Sequence, residues 1–228
     1  MFYDPTYFLV IIAIVLTSAV QMYMTSTFSK YENVMSKSGL TASKAASMIL
    51  SSSGIDNVRI GRVAGNLTDH YAPLKKELNL SDTTYDSRSI ASIGVAAHEC
   101  GHALQDNRKM FLLNLQMSIV PVVNFASKLS IPMIFIGIIL GMLNLANIGI
   151  YLFGATLVYQ LLTLPIEFDA SNSAIKVLRS YNMMDESELY GVKKVLTAAA
   201  LTYVAAAAST ILQLLRFVIL VNGSRRND

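Results

Sequence analysis

The sequence predicts a mainly α integral membrane protein, with three to four transmembrane helices and a small α+β domain on the cytoplasmic face. Three observations carry that prediction. Hydrophobic residues make up 53% of the 228 positions and charged residues only 14%, and the mean hydropathy is positive. Uncharged apolar runs reach the length that crosses a bilayer, and the basic residues are gathered in one stretch between such runs.

The first apolar run covers residues 7–24 and carries no charge. Only Asp4 precedes it, with no basic leader, and no Ala-x-Ala site follows, so it reads as a retained signal anchor (residues 1–25). Runs at 129–145 and 148–164, joined by Asn144-Leu145-Ala146-Asn147, read as a transmembrane hairpin within residues 118–166. A fourth stretch, 195–221, has alanine clusters suited to close helix packing. Arg216 lies inside it and could snorkel from near the helix end, or the helix could lie in the interface, so residues 198–228 are expected to form either a fourth span or an interfacial helix.

Residues 25–117 hold ten of the eighteen Lys and Arg residues, against none in the N-terminal tail and none in the hairpin turn. The positive-inside rule places that stretch in the cytoplasm. The hairpin then returns the chain to the same side for residues 167–197, where Lys176, Arg179, Lys193 and Lys194 follow.

The cytoplasmic segment, residues 26–117, reads as a small folded unit resting on the bilayer. Thr41 is an N-cap for a helix over 42–50, with Gly54 just past its end. Residues 58–63 alternate as a strand does, Gly65-Asn66 marks a turn, and a further extended piece covers 67–80 with a break at Pro73. A helix over 89–106 follows.

That last helix contains His98-Glu99-Cys100-Gly101-His102. Histidines at i and i+4 lie one turn apart on one helix face, so both rings can reach one metal ion, and the intervening glutamate falls beside it. This is the zinc-peptidase arrangement, in which Glu99 takes a proton from a water on the metal. The bland alternative is a helix whose histidines are paired with nearby acids. An open zinc site needs a third protein ligand. Only His70 remains among the histidines, and the best carboxylate is Glu167. Two crossings between His102 and Glu167 bring that acid back to the histidines' side, whereas a single crossing would forbid it. As an ordinary residue, Glu167 would be a helix-start glutamate behind Pro165.

His70 and Tyr71, in the extended segment upstream, are candidates to donate to the developing oxyanion, or else form a packing pair on a surface strand. With Asp69 they also mark a strand edge where an extended peptide could add, making Asp69 and Tyr71 substrate-binding candidates. Cys100 is the single cysteine and faces away from the metal as core filler.

Four blocks resemble the YugP-type membrane neutral zinc metallopeptidases of bacteria: Asn66-Leu67-Thr68-Asp69-His70-Tyr71-Ala72-Pro73, the zinc motif with Ala96-Ala97 before it and Ala103-Leu104-Gln105 after, Leu162-Thr163-Leu164-Pro165-Ile166-Glu167-Phe168-Asp169-Ala170-Ser171, and the run from Lys194 to Ala206. The resemblance covers nearly the whole chain. It implies a gluzincin-like metallopeptidase domain in a multi-pass protein of the bacterial cell membrane, one Zn2+ held by His98, His102 and Glu167, and Glu99 as catalytic base. The chain is more distantly similar to the HtpX and CAAX prenyl protease group. There an aspartate stands four residues after the ligand glutamate, where this chain has Ser171, and Asp169 is the candidate to share that supporting role.

Peptide or protein substrates and the lipid bilayer are therefore the expected partners, and the small-residue helix faces permit homo-oligomers. A site-2-type protease is disfavoured because charged residues flank the motif and no Asp-Gly occurs. A membrane adaptor or scaffold with a structural metal site is the non-enzymatic alternative. A net charge of +3 gives nucleic-acid binding no support.

Overall fold

A computed structural model describes residues 6–224; Asp4, Arg225 and Arg226 lie outside them. The element order is α1 (Tyr7–Glu32), α2 (Ala42–Ser52), β1 (Arg59–Val63), β2 (His70–Ala72), β3 (Glu77–Ser81), α3 (Asp82–Tyr85), α4 (Ile90–Asn107), α5 (Phe111–Ile139), α6 (Leu143–Ser180) and α7 (Glu186–Ser224). Among the described residues, four helices are long and apolar enough to cross a membrane: α1, α5, α6 and α7. The fourth apolar stretch is thus one helix of spanning length, and the chain is a mainly helical membrane protein with one small sheet.

The hairpin differs in detail from expectation. Its turn falls at Leu140-Gly141-Met142, and Asn144 to Asn147 belong to the first turns of α6. Gly141 adopts a left-handed φ of +68°, which ends α5 there. Pro165 does not start a helix either. It sits inside α6, which runs unbroken from the hairpin turn through Glu167 to Ser180. Pro121 and Pro132 lie inside α5 in the same way. Prolines are tolerated within helices of this class.

The chain divides into two compact units. Among the described residues, the first takes 6–21, 115–164 and 201–224. Its helices approach closely where side chains are small: a Cβ added at Gly149 would meet Ser130 O at 2.7 Å. Phe217 of α7 packs edge-on against Phe153 of α6, with ring centroids 5.3 Å apart. Arg216 stacks over the Tyr7 ring at 4.7 Å and its Nε donates to Thr6 Oγ1 at 3.3 Å, which gives the in-span charge both a face and a partner.

The second unit takes residues 22–114 and 165–200. Local sequence dictates its parts. Thr41 Oγ1 caps α2 by accepting from Lys44 N at 3.3 Å, and Ser89 Oγ caps α4 by accepting from Ser92 N at 3.1 Å. The sheet order is β1-β3-β2, with β1 parallel to β3 (Arg59 opposite Glu77) and β2 antiparallel to it (His70 opposite Asn79). Leu78 and Leu80 of β3 turn inward onto Ala45, Ala46 and Ile49 of α2 and Ile93, Ala97 and Cys100 of α4, all fully buried or nearly so. Ala174 and Leu178 of α6 and Val192 and Leu196 of α7 complete this core. Burial on both flanks fixes α4, the helix that carries the zinc motif.

Candidate metal centre

Two helices supply the centre. Along α4, the four-residue spacing stacks His98 and His102 on one face, with ring centroids 4.8 Å apart. Gly101 lets α6 come close: a Cβ at that position would lie 2.5 Å from the backbone oxygen of Ala170. Glu167 stands one turn before Ala170 on α6, so this approach delivers its carboxylate to the imidazoles. Glu167 Oε2 is 3.2 Å from His98 Nε2, and Oε1 is 3.7 Å from His102 Nε2. One ligand atom from each of the three residues lies within 4.8 Å of the others. Among the described residues this is the one such group of His, Cys, Asp and Glu.

The outer edge of each ring is held. Gln105, fully buried, donates through Nε2 to Ile166 O at 2.7 Å and to Asp169 Oδ2 at 2.8 Å. Its Oε1 is therefore the acceptor facing His102 Nδ1 at 3.0 Å, which puts the ring proton on Nδ1 and leaves Nε2 with its lone pair inward. His98 Nδ1 is 3.1 Å from Ser171 Oγ, an arrangement that again turns Nε2 towards Glu167. Arg108 pairs with Asp169 and completes the support.

The donor set fits zinc. At bond lengths of about 2.0–2.1 Å, tetrahedral ligands sit about 3.3–3.4 Å apart, close to the observed separations from Glu167 to the two rings. The electrostatics agree. Burial opposes a charge on His98, but the hydrogen bond to Glu167 and the charges of Glu99 and Glu167 outweigh it and raise its pKa. A metal and a proton would compete for the same lone pair. Glu99 is buried, at 8% exposure, and its carboxylate makes no hydrogen bond to another described residue.

Other residues singled out from the sequence lie elsewhere. Cys100 is fully buried with Sγ 3.7 Å from Ala46 O, and burial, aided by the charge of Glu99, pushes its thiol pKa up. Asp69 accepts from Ser81 N at 2.8 Å, Ser81 Oγ at 3.0 Å and Thr84 Oγ1 at 3.1 Å, so it ties the loop to β3. The exposed ring of His70 uses Nδ1 on Thr68 O at 2.9 Å. Tyr71 donates its hydroxyl to Asp106 Oδ2 at 2.6 Å, and burial together with Asp106 raises its pKa. None of these four belongs to the ligand group. The sequence reading missed Gln105 and Arg108. The signal for Gln105 was its position three residues after His102, on the same helix face.

Comparison with known proteins agrees with this geometry. The chain is similar to "Putative membrane protease YugP" of Bacillus subtilis (strain 168), with 46% identity over 222 residues, covering 96% of this chain and 98% of the relative. No solved structure matches it. The family model described as "Putative neutral zinc metallopeptidase" matches residues 6–222, and the resemblance first seen in four sequence blocks extends over nearly the whole length: the chain belongs to that family.

Proposed function

We propose that this protein is a zinc metalloendopeptidase of the bacterial cell membrane, holding one Zn2+ through His98 Nε2, His102 Nε2 and a Glu167 carboxylate oxygen on the cytoplasmic side. The observation that carries the reading is the convergence of three ligand atoms from α4 and α6, with both imidazole Nδ1 edges engaged by hydrogen bonds. The relative's printed name, a membrane protease, points the same way. The cytoplasmic assignment rests on the basic residues of 25–117.

Zinc held there would supply Lewis acidity and lower the pKa of a water towards neutrality. Glu99 provides the rest of the acid–base work. Its carboxylate takes the proton of the attacking water and returns it to the departing amine. Gln105, backed by Asp169, and Ser171 hold the two rings in orientation, which strengthens both as ligands. Both candidate oxyanion donors have partners of their own, Tyr71 in Asp106 and His70 in Thr68 O and Asn79, so neither is assigned that role. The outer edge of β2 is the candidate for receiving an extended peptide.

A structural metal in a membrane adaptor is the second reading. Structural zinc is normally closed by four protein ligands, whereas the described residues group three. Glu99→Gln separates the two. The peptidase reading predicts full zinc content and hydrolysis of a peptide library slowed about a hundred- to ten-thousand-fold. Unchanged turnover would remove Glu99 from the chemistry, and a wild-type protein that binds zinc but cleaves nothing would favour the adaptor.

A further inference from the structure

We propose that the turn joining β2 to β3, residues 73–76, is a membrane-contacting tip, with Leu74 entering the interfacial layer of a bilayer that carries anionic headgroups. Leu74 is 93% exposed, the highest value among the exposed large hydrophobic residues, and it stands at the end of a hairpin whose leucines, Leu78 and Leu80, turn inward. A lone exposed apolar residue is ordinary; what sets Leu74 apart is that its turn is tied to the segment leading into a helix of spanning length.

The turn is pinned beside the start of a membrane span. Asp106, at the end of α4, accepts from Lys76 Nζ at 2.6 Å and from Tyr71 OH at 2.6 Å. Its backbone oxygen also accepts from Lys109 N at 2.9 Å, in the left-handed turn that leads into α5. Helix α5 is of spanning length and begins at Phe111, itself 73% exposed. The 73–76 turn therefore shares one hub with the segment from which the chain enters the lipid.

Charge identifies the surface. Lys76 is neutralised by Asp106 and Arg108 by Asp169. Lys75 and Lys109 are exposed and make no ion pair among the described residues. Two unpaired cations flanking Leu74 and Phe111 suit phosphate headgroups above an acyl layer, with the lysines reaching the phosphates while their stems lie along the apolar region. The contact would hold the sheet against the bilayer, independently of any reaction at the metal.

The chain contains no tryptophan, so Leu74→Trp introduces a sole indole. The full-length variant is placed in lipid nanodiscs of phosphatidylcholine, with or without phosphatidylglycerol, using brominated acyl chains as quencher. Ala64→Trp is the control, because the register places the end of β1 at the sheet end opposite the 73–76 turn. The expected result is blue-shifted emission from position 74, quenched several-fold more than from position 64, with stronger quenching when phosphatidylglycerol is present. Adding Lys75→Glu and Lys109→Glu to Leu74→Trp should abolish the dependence on phosphatidylglycerol. Equal quenching at the two positions would overturn the proposal, and so would quenching indifferent to headgroup charge. The readout does not depend on peptide hydrolysis, so its failure is separable from failure of the peptidase reading.

Discussion

Gln105 does for His102 what Ser171 does for His98: each engages the outer ring nitrogen and leaves the inner one for a cation. Gln105→Leu removes the acceptor of His102 and leaves the Ile166 carbonyl and Asp169 without their buried donor. Zinc affinity, measured by chelator competition, should fall about 10–100-fold; Ser171→Ala should weaken it through His98 alone. At this scale the sequence told much. The spacing of His98, Glu99 and His102 was legible because one helix turn fixes it. Glu167 was legible through membrane parity and family likeness. Gln105 was not singled out, because a glutamine on a helix carries no chemical signature until the backbone of α6 arrives beside it. Asp69 and Tyr71 were read as substrate groups, whereas their hydrogen bonds run to Ser81, Thr84 and Asp106, partners that only the folded sheet supplies.

Helices α4 and α6 meet at Gly101, and that contact sets the distance from Glu167 to the rings. Gly101→Ala would drive a methyl into the backbone of Ala170. The expected cost is about 1–3 kcal/mol in denaturation experiments, with weaker zinc binding in the same sample; a stable variant with native affinity would show that the helices can part without loss. At the start of α7, Asp185 and Glu188 form a reciprocal cap: Asp185 Oδ1 accepts from Glu188 N at 2.9 Å, and Glu188 Oε2 accepts from Asp185 N at 3.0 Å. The Lys37 ammonium pairs with Asp185 and, with the bonds from Ser187 and Glu188, holds its carboxyl well below the ordinary value of 3.8. A depressed folded pKa stabilises the fold above pH 3.8, and that contribution is lost as the pH falls from there towards the folded value. Asp185→Asn should therefore lower the melting temperature at neutral pH, with a gap from wild type that narrows in strong acid. Element types were legible where caps and alternation were strong, as at Thr41, Ser89 and β1. The hairpin turn was misplaced because Asn144 and Asn147 resemble a loop in sequence, while the residue that ends α5 is Gly141 with its positive φ.

The whole chain is read as crossing the bilayer with α1, α5, α6 and α7, and the α5–α6 hairpin is what allows an acid some 65 residues beyond the second histidine to meet it. Composition made the membrane class legible, since few soluble domains combine 53% hydrophobic with 14% charged residues. Orientation is a matter of charge placement. Reporter fusions at Gly141 and at Asn66 should report opposite sides, with Gly141 extracytoplasmic; matching signals would remove the parity that returns Glu167 to the histidines.

The most direct measurement is X-ray absorption at the zinc edge of the purified full-length protein, alongside Glu167→Ala. The account predicts one zinc per chain in the native protein, with nitrogen and oxygen neighbours at about 2.0–2.1 Å, and loss of most bound metal in the variant. A sulfur neighbour at about 2.3 Å, or a full complement of zinc without the Glu167 carboxylate, would contradict it.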